Sequence, residues 1–182
     1  VRELLVAVDV ETSVHAQAPA RECAGRGLVD TDWEGLKKGN QPEYEKFYGG
    51  FELEVDLSEE EDLPTDQRLQ AARGGAADVS LPLLYFDYGR YLLVASTATA
   101  SLPPNLQGKW NEDLNPPWQA DYHHDVNLQM NYWPAEAGNL QYTTEALFQH
   151  IERFVPHARK TARDVYGCEG VWFPIQTDPW GR

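Results

Sequence analysis

The chain has 182 residues, 42% hydrophobic and 24% charged, which is the composition of a folded domain and excludes a disordered tail. Twenty-nine acidic residues against 15 basic ones give a formal charge of −14, which repels nucleic-acid phosphates and anionic lipid but leaves neutral ligands such as sugars unaffected. No apolar run approaches the roughly 20 residues that span a bilayer, and Cys23 and Cys168 stand too far apart for a local metal knuckle, with their redox state left open.

In chain order, "LLVAVDV" near the start reads as a strand, and "FELEVDL" alternates strictly, with Phe51, Leu53, Val55 and Leu57 on one face. Between them "EGLKKGNQPEYEKFYGG" can hold a short helix ending at Gly49–Gly50. Residues 1–57 are therefore expected to be the end of a β region with one short helix. Residues 58–80, around "SEEEDLPTDQRLQAARGGAA", read as a charged, Gly/Ala-rich linker. From residue 81 the pattern turns helical. Leu84, Tyr88, Tyr91, Leu92 and Ala95 recur at helical spacing after Pro82, which suits the first turn. Pro103, Pro104, Pro116 and Pro117 make the next stretch mostly loop. A second helix is expected over "TTEALFQHIERFVPHARKTARDVYG". Leu147, Ile151, Phe154, Val155, Ala158, Ala162 and Val165 form its apolar face, Pro156 kinks or breaks it, and Gly167 caps it. The chain opens inside a strand-like run without an initiator Met and closes on "QTDPWGR", so the expectation is a piece of a longer protein.

The densest chemistry lies between Asn105 and Trp133. Asn105, Gln107, Asn111, Asp113, Asn115, Asp121, His123, Asp125, Asn127 and Asn131 are interleaved with Trp110, Trp118, Tyr122, Tyr132 and Trp133. A metal site fits poorly. His123, His124 and Asp125 are consecutive, so their side chains diverge, and the spacing that puts two imidazoles on one helical face is absent. No nucleophile elbow and no phosphate-binding glycine motif is present either. A sugar fits better, because amides, carboxylates and imidazoles satisfy its hydroxyl rim while indole and phenol rings cover its C–H faces. Individually, many of these residues could be turn caps or core; Trp133, Tyr132 and Met130 are expected in the core.

The runs "YGRYLLVASTATASLPPNLQGKWNEDLNPPW" and "YHHDVNLQMNYWPAEAGNL" resemble the catalytic-domain signature of glycoside hydrolase family 95, the inverting α-L-fucosidases. "LPTDQRL" is similar to the linker motif that precedes that domain, and "GVWFPIQTDPWG" to the segment that closes its early helices. The resemblance implies a mainly α fold, the first helices of an (α/α)6 toroid over residues 81–182, preceded by a short β segment and a linker. Its implied substrate is a fucosylated oligosaccharide or glycan, acted on without metal or cofactor. The rest of the parent chain would be the partner of this piece, and no nucleic acid or membrane is implied. A secreted or periplasmic parent is expected, although this chain contains no signal region to give an address.

The resemblance also assigns roles. The family's water-handling N-x-N pair falls on Asp125 and Asn127, and His123 falls where the fucose ring is recognised, its imidazole suiting the C5 methyl of fucose better than the hydroxymethyl of L-galactose. Gln107, Trp110 and Asn111 are further candidate sugar contacts, and His124 is expected to point the other way, at the surface or supporting the site from behind. Two departures stand out: Asp125 replaces an asparagine, and "FPIQTD" stands where a histidine-bearing stretch is expected. An aspartate at this place could take the water's proton directly, or could repel a remote carboxylate and weaken catalysis. The general acid and the remote activating carboxylate would both lie beyond Arg182, so the fragment alone is expected to be inactive. An α-L-galactosidase of the same family, or a non-catalytic sugar-binding relative, are the alternatives. An incomplete toroid is further expected to leave helix faces uncovered and to be poorly soluble or molten.

Overall fold

The structure, a computed structural model, describes residues 32–53, 55 and 62–180. The strand expected at "LLVAVDV" lies outside them. The chain divides into two units, residues 1–46 and 47–182. Helix α1 (Trp33–Tyr48) starts where Asp32 accepts a hydrogen bond from the Gly35 amide at 2.8 Å, and it buries no residue. A Glu34–Lys37 ion pair at 2.6 Å and a Gln41–Glu45 hydrogen bond at 2.7 Å line its solvent side. The expected short helix is thus present and nearly reaches Gly49. Phe51, Glu52, Leu53 and Val55, expected as part of a strand, form none.

The second unit is helical. Helix α2 (Thr65–Arg73) lies inside the stretch expected to be linker and ends where the Gly74 and Gly75 amides fold back onto its last carbonyls. Arg68 of α2 reaches Asp78 through Nε and Nη2 at 2.8 and 2.9 Å. Asp78 in turn accepts the amides of Ser80 and Leu81, which tethers the start of α3 (Leu81–Thr97) to α2. The Arg68 guanidinium, with the Leu81 amide and the Ser80 hydroxyl, holds the Asp78 carboxyl well below the usual carboxylate range.

Helix α3 buries the side opposite to the one its aromatic periodicity suggests. Arg90, Leu93, Val94, Ser96 and Thr97 face the core, whereas Leu84, Tyr88 and Tyr91 are 40–55% exposed. The reason is Arg90. Its guanidinium donates to the carbonyls of Gly138, Tyr48 and Phe51 at 3.2, 3.0 and 3.4 Å, and lies over the rings of Tyr48 and Phe51. A cation satisfied so fully is stable inside, and it turns the helix with it.

A long loop leads through a 3-10 turn (Pro117–Ala120) to strand β1 (Tyr122–His123), helix α4 (Asn127–Ala137) and a second 3-10 turn (Gln141–Thr143). Helix α5 (Thr144–Tyr166) follows, and strand β2 (Gln176–Thr177) pairs antiparallel with β1. The core joins α3, β1 and α4 through Leu93, Val94, Tyr122, Leu128, Tyr132, Ala135 and Leu140. Tyr132 is core as expected, but Trp133 and Met130 are 66% and 46% exposed, because α4 buries the Leu128–Tyr132–Ala135 stripe and these two fall on its other sides.

Helix α5 runs unbroken through Pro156. The missing N–H frees only the Glu152 carbonyl, and both residues are exposed, which leaves that carbonyl accessible to solvent. Its buried face is Ala146, His150, Phe154, Ala158 and Ala162, while Val165 is 68% exposed. Gly167, at φ 63°, closes the helix as expected: its amide and that of Cys168 bond back to Arg163 and Ala162. Among the described residues no helix is long and apolar enough to cross a membrane.

Candidate functional site

The proline-rich loop is fixed from beneath. Tyr122 donates its hydroxyl to the Pro103 carbonyl at 3.0 Å, and burial pushes that phenol up to about 12, so it stays a donor. Arg153 of α5 donates to the Ser101 carbonyl at 2.7 Å, and the Leu106 amide to Asp121 at 3.1 Å. Asn105 folds the tip: its side chain accepts the Gln107 amide at 2.8 Å, while its backbone pairs with Gly108. Gly108 has φ +67°, and a β-carbon there would sit 2.8 Å from the Trp110 ring, so glycine lets the indole fold over the turn.

Strand β1 carries the central residues. Its pairing with β2 sets His123 opposite Gln176, and the alternation of a strand sends His123 and His124 to opposite sides. Nε2 of His123 lies 2.8 Å from Asp121 Oδ1 and 3.1 Å from the Gln176 amide nitrogen, which itself donates to Asp121 Oδ2 at 3.2 Å. The imidazole is not aligned on Oδ1 as a hydrogen bond, so that oxygen keeps an unused acceptor position. The Trp118 ring stands nearly perpendicular to the His123 ring at 5.7 Å.

His124 points the other way, as expected, but into a cluster of rings and not to the surface. Phe154, Phe173 and His150 lie 5.3, 5.5 and 5.8 Å from it. Its Nδ1 is 3.2 Å from the Pro174 carbonyl, and since a carbonyl only accepts, Nδ1 carries the proton. Burial lowers the His124 pKa, partly offset by that bond. His150 is fully buried, neither ring nitrogen is hydrogen-bonded among the described residues, and burial lowers its pKa to about 4.

Asp125 and Asn127 follow at the start of α4, both exposed, and among the described residues neither side chain makes a hydrogen bond or ion pair. Asn127 and His123 share a tight cleft with Asn105 and Asn131. Gln107 and Trp110 instead line a larger, mainly apolar cavity of about 680 Å³ that also touches Asn105 and Asn131 but not His123, Asp125 or Asn127. Gln107 spends its amide weakly on the Pro117 carbonyl at 3.4 Å. Asn111 lies on neither, its amide bonded to the Asp113 carbonyl at 2.7 Å. The structure therefore gathers His123 and Asn127, leaves Asp125 beside them on the surface, and sets Gln107, Trp110 and Asn111 apart, with Asn105 and Asn131 as the bridge.

Sequence reasoning gave Asp121 and Trp118 no role of their own and saw Gln176 only as a departure from the expected histidine. Gln176 reaches His123 through strand register across 53 residues, which local spacing does not reveal. Trp118, Gln119 and Ala120 all have positive φ, 55°, 59° and 49°, a left-handed run costing roughly 1–2 kcal/mol per residue. Strain of this kind clusters at functional sites. The assembly offers amides, carboxylates and an imidazole beside an exposed indole, which is equipment for binding hydroxyl groups and orienting water. Among the described residues no group of three or more His, Cys, Asp or Glu side chains could hold a metal ion.

Comparison with known proteins bears on this site. Over 139 residues, 75% of this chain and 17% of the relative, it is 37% identical to a probable alpha-fucosidase A of Aspergillus niger. It is 34% identical to alpha-L-fucosidase 2 of Arabidopsis thaliana over 176 residues, 90% of the chain and 20% of the relative. A probable alpha-fucosidase A of Aspergillus oryzae is 47% identical over 94 residues, 51% of the chain and 13% of the relative. The chain thus spans a fifth or less of the length of these relatives. Residues 32–182 match the glycosyl hydrolase family 95 catalytic domain, and with 34% and 37% identity to fucosidases over most of its length the chain belongs to that family.

Proposed function

We propose that this chain forms one wall of the active site of an inverting, exo-acting α-L-fucosidase that removes terminal α-L-fucosyl units from glycans. The observation that carries the reading is the grouping at the end of β1: His123 held by Asp121 and Gln176, next to an Asp125 and Asn127 whose side chains make no hydrogen bond or ion pair among the described residues. Asp125 and Asn127 hold the attacking water, and Asp125 accepts its proton as the oxygen bonds to the anomeric carbon. The glycosidic C–O bond breaks on the opposite face, and the departing oxygen takes a proton from a general acid contributed from outside residues 1–182. His123 lies against the C5 methyl, and Gln107, Trp110 and Asn111 act, if at all, on more distant parts of the glycan. Residues 81–182 are, in this reading, the opening helices of an (α/α)6 toroid, and the remainder of the protein completes the cleft.

The test is release of L-fucose from an α-1,2-fucosylated oligosaccharide by the full-length protein and by residues 1–182, with the first-formed anomer followed by NMR. Release of the β anomer by the full-length protein alone is the expected result. Retention of the α anomer would exclude the inverting assignment, and fucose release by residues 1–182 would exclude an acid outside them. Turnover of α-L-galactosides in preference to fucosides would remove the role given to His123.

A further inference from the structure

Which nitrogen of His123 carries the proton decides what the ring can offer a ligand, because an N–H donates and a bare ring nitrogen accepts. Two neighbours bear on that choice. Asp121 stands just before β1, and Gln176 lies opposite His123 in the β1–β2 pair, so both side chains reach the imidazole. The Gln176 amide nitrogen is 3.2 Å from Asp121 Oδ2 and 3.1 Å from His123 Nε2. An ionised carboxylate only accepts, so the end of the Gln176 amide turned toward it must be the NH2 group and not the carbonyl oxygen. That group carries a pair of hydrogens. With one on Asp121, the other points at His123, and Nε2 must accept it. Asp121 Oδ1 also lies 2.8 Å from Nε2, but out of line for an N–H bond, and a proton on Nε2 would oppose the Gln176 donor.

We propose that Asp121 and Gln176 are positioning residues that fix the tautomer of the neutral His123 ring, with its proton on Nδ1. Asp121 sets which way the amide faces, and the amide claims Nε2. The proton is left on Nδ1, which makes no hydrogen bond among the described residues. The Trp118 ring, nearly perpendicular at 5.7 Å, braces the imidazole plane. The consequence for recognition rests on the proposed function: His123 meets the glycan as a hydrogen-bond donor and takes a sugar oxygen as its partner.

The test is nitrogen NMR of the full-length protein carrying labelled histidine, at about pH 8, above the ordinary histidine range. Such spectra separate a protonated ring nitrogen from a bare one, and the His123 signals are assigned by their loss in His123→Phe. The wild-type ring is expected to show a protonated Nδ1 and a bare Nε2. In Gln176→Leu, Nε2 loses its donor but keeps the Asp121 carboxylate beside it, so the proton is expected to move to Nε2. Asp121→Ala frees the amide to turn its oxygen toward the ring and is expected to give a mixture of tautomers. Residues that only packed against the ring would move neither signal. On an α-fucoside, Gln176→Leu is expected to raise KM about tenfold and to change kcat less. A wild-type ring protonated on Nε2 overturns the proposal whether or not the variants fold, and so does a protonated Nδ1 that survives in Gln176→Leu. A moved tautomer with KM unchanged overturns the donor role. If the wild-type protein releases no fucose, the proposed function fails, and the nitrogen spectrum still decides what Asp121 and Gln176 do.

Discussion

His123 and His124 are neighbours in sequence and occupy opposite kinds of space. His123 turns toward a carboxylate, an amide and an exposed indole, where every partner is polar or reachable by solvent. One residue later, the His124 ring sits among Phe154, Phe173 and His150 and, among the described residues, hydrogen-bonds only the Pro174 carbonyl. The two-residue period of a strand creates the contrast, and the contrast divides the labour. The dry side anchors β1 to α5, so that the wet side can be presented rigidly. If His123 contacts a sugar as proposed, it needs a fixed ring, and rigid packing behind the strand supplies what a surface loop could not.

The largest test of that division falls on the wet side. Asp125→Asn in the full-length protein is expected to lower kcat on an α-fucoside by roughly 10²- to 10⁴-fold, because the amide can orient water but cannot take its proton. Thermal unfolding should be almost unmoved, since Asp125 is exposed. A variant that keeps most of kcat would show that orientation alone suffices at this position and that proton acceptance lies elsewhere.

The interior holds its own contrast, between a cation with partners and an imidazole without them. Arg90 is 1% exposed and donates to three carbonyls while covered by two rings. Arg90→Ala strands those acceptors and opens a cavity, and it is expected to cost about 3 kcal/mol or more in urea unfolding. Arg90→Lys should recover only part of this, because an ammonium cannot reproduce the fork. A loss below 1 kcal/mol would mean that the carbonyls find water and that Arg90 does not set the facing of α3.

His150 gives the matching prediction for the dry side. Its folded pKa of about 4 lies below the ordinary 6.5, so the folded state holds it neutral. The groups that act on it are His124 and Arg153, which lower the value further, and Asp178, which raises it. Above pH 6.5 the imidazole is neutral folded or unfolded, and full stability is present. As pH falls from 6.5 toward 4 only the unfolded chain takes the proton, and stability is lost, by about 2 kcal/mol between pH 7 and pH 5. His150→Phe is expected to flatten that slope. An unchanged slope in the variant would assign the acid sensitivity to other groups.

The same contrasts explain what could be read in advance. The loop, α3, α5 and the Gly167 cap follow from proline positions, period and a glycine at the right place. Which face of α3 turned inward did not, because the deciding residue, Arg90, is polar by type and becomes interior only through partners contributed by other elements; on α5, Phe154, Ala158 and Ala162 are buried on the expected face, and only the polar His150 beside them was not foreseen. Helix α4 escaped notice since Met130 and Trp133 are as apolar as its buried Leu128–Tyr132–Ala135 stripe and blur the period. At the site, the weight of Asp125, Asn127 and His123 came from a resemblance carried by local motifs. The place of Gln176 depends on a pairing of distant strands that no local motif encodes.

The smallest expected effect concerns the bridge between the two candidate sugar-facing regions. Gly108 holds φ +67° with the Trp110 ring folded against it. In Gly108→Ala the new methyl group collides with the indole and meets a backbone angle that L-residues resist, so about 1 kcal/mol of stability should go. The more telling readout is the indole itself. If Trp110 helps to hold the glycan, its displacement should raise KM for a fucosylated oligosaccharide while leaving kcat/KM for α-L-fucosyl fluoride nearly in place, since His123, Asp125 and Asn127 do not touch that cavity. If KM stays put while stability falls by the expected amount, Trp110 is a lid on the turn, and sugar recognition belongs to the β1 side alone.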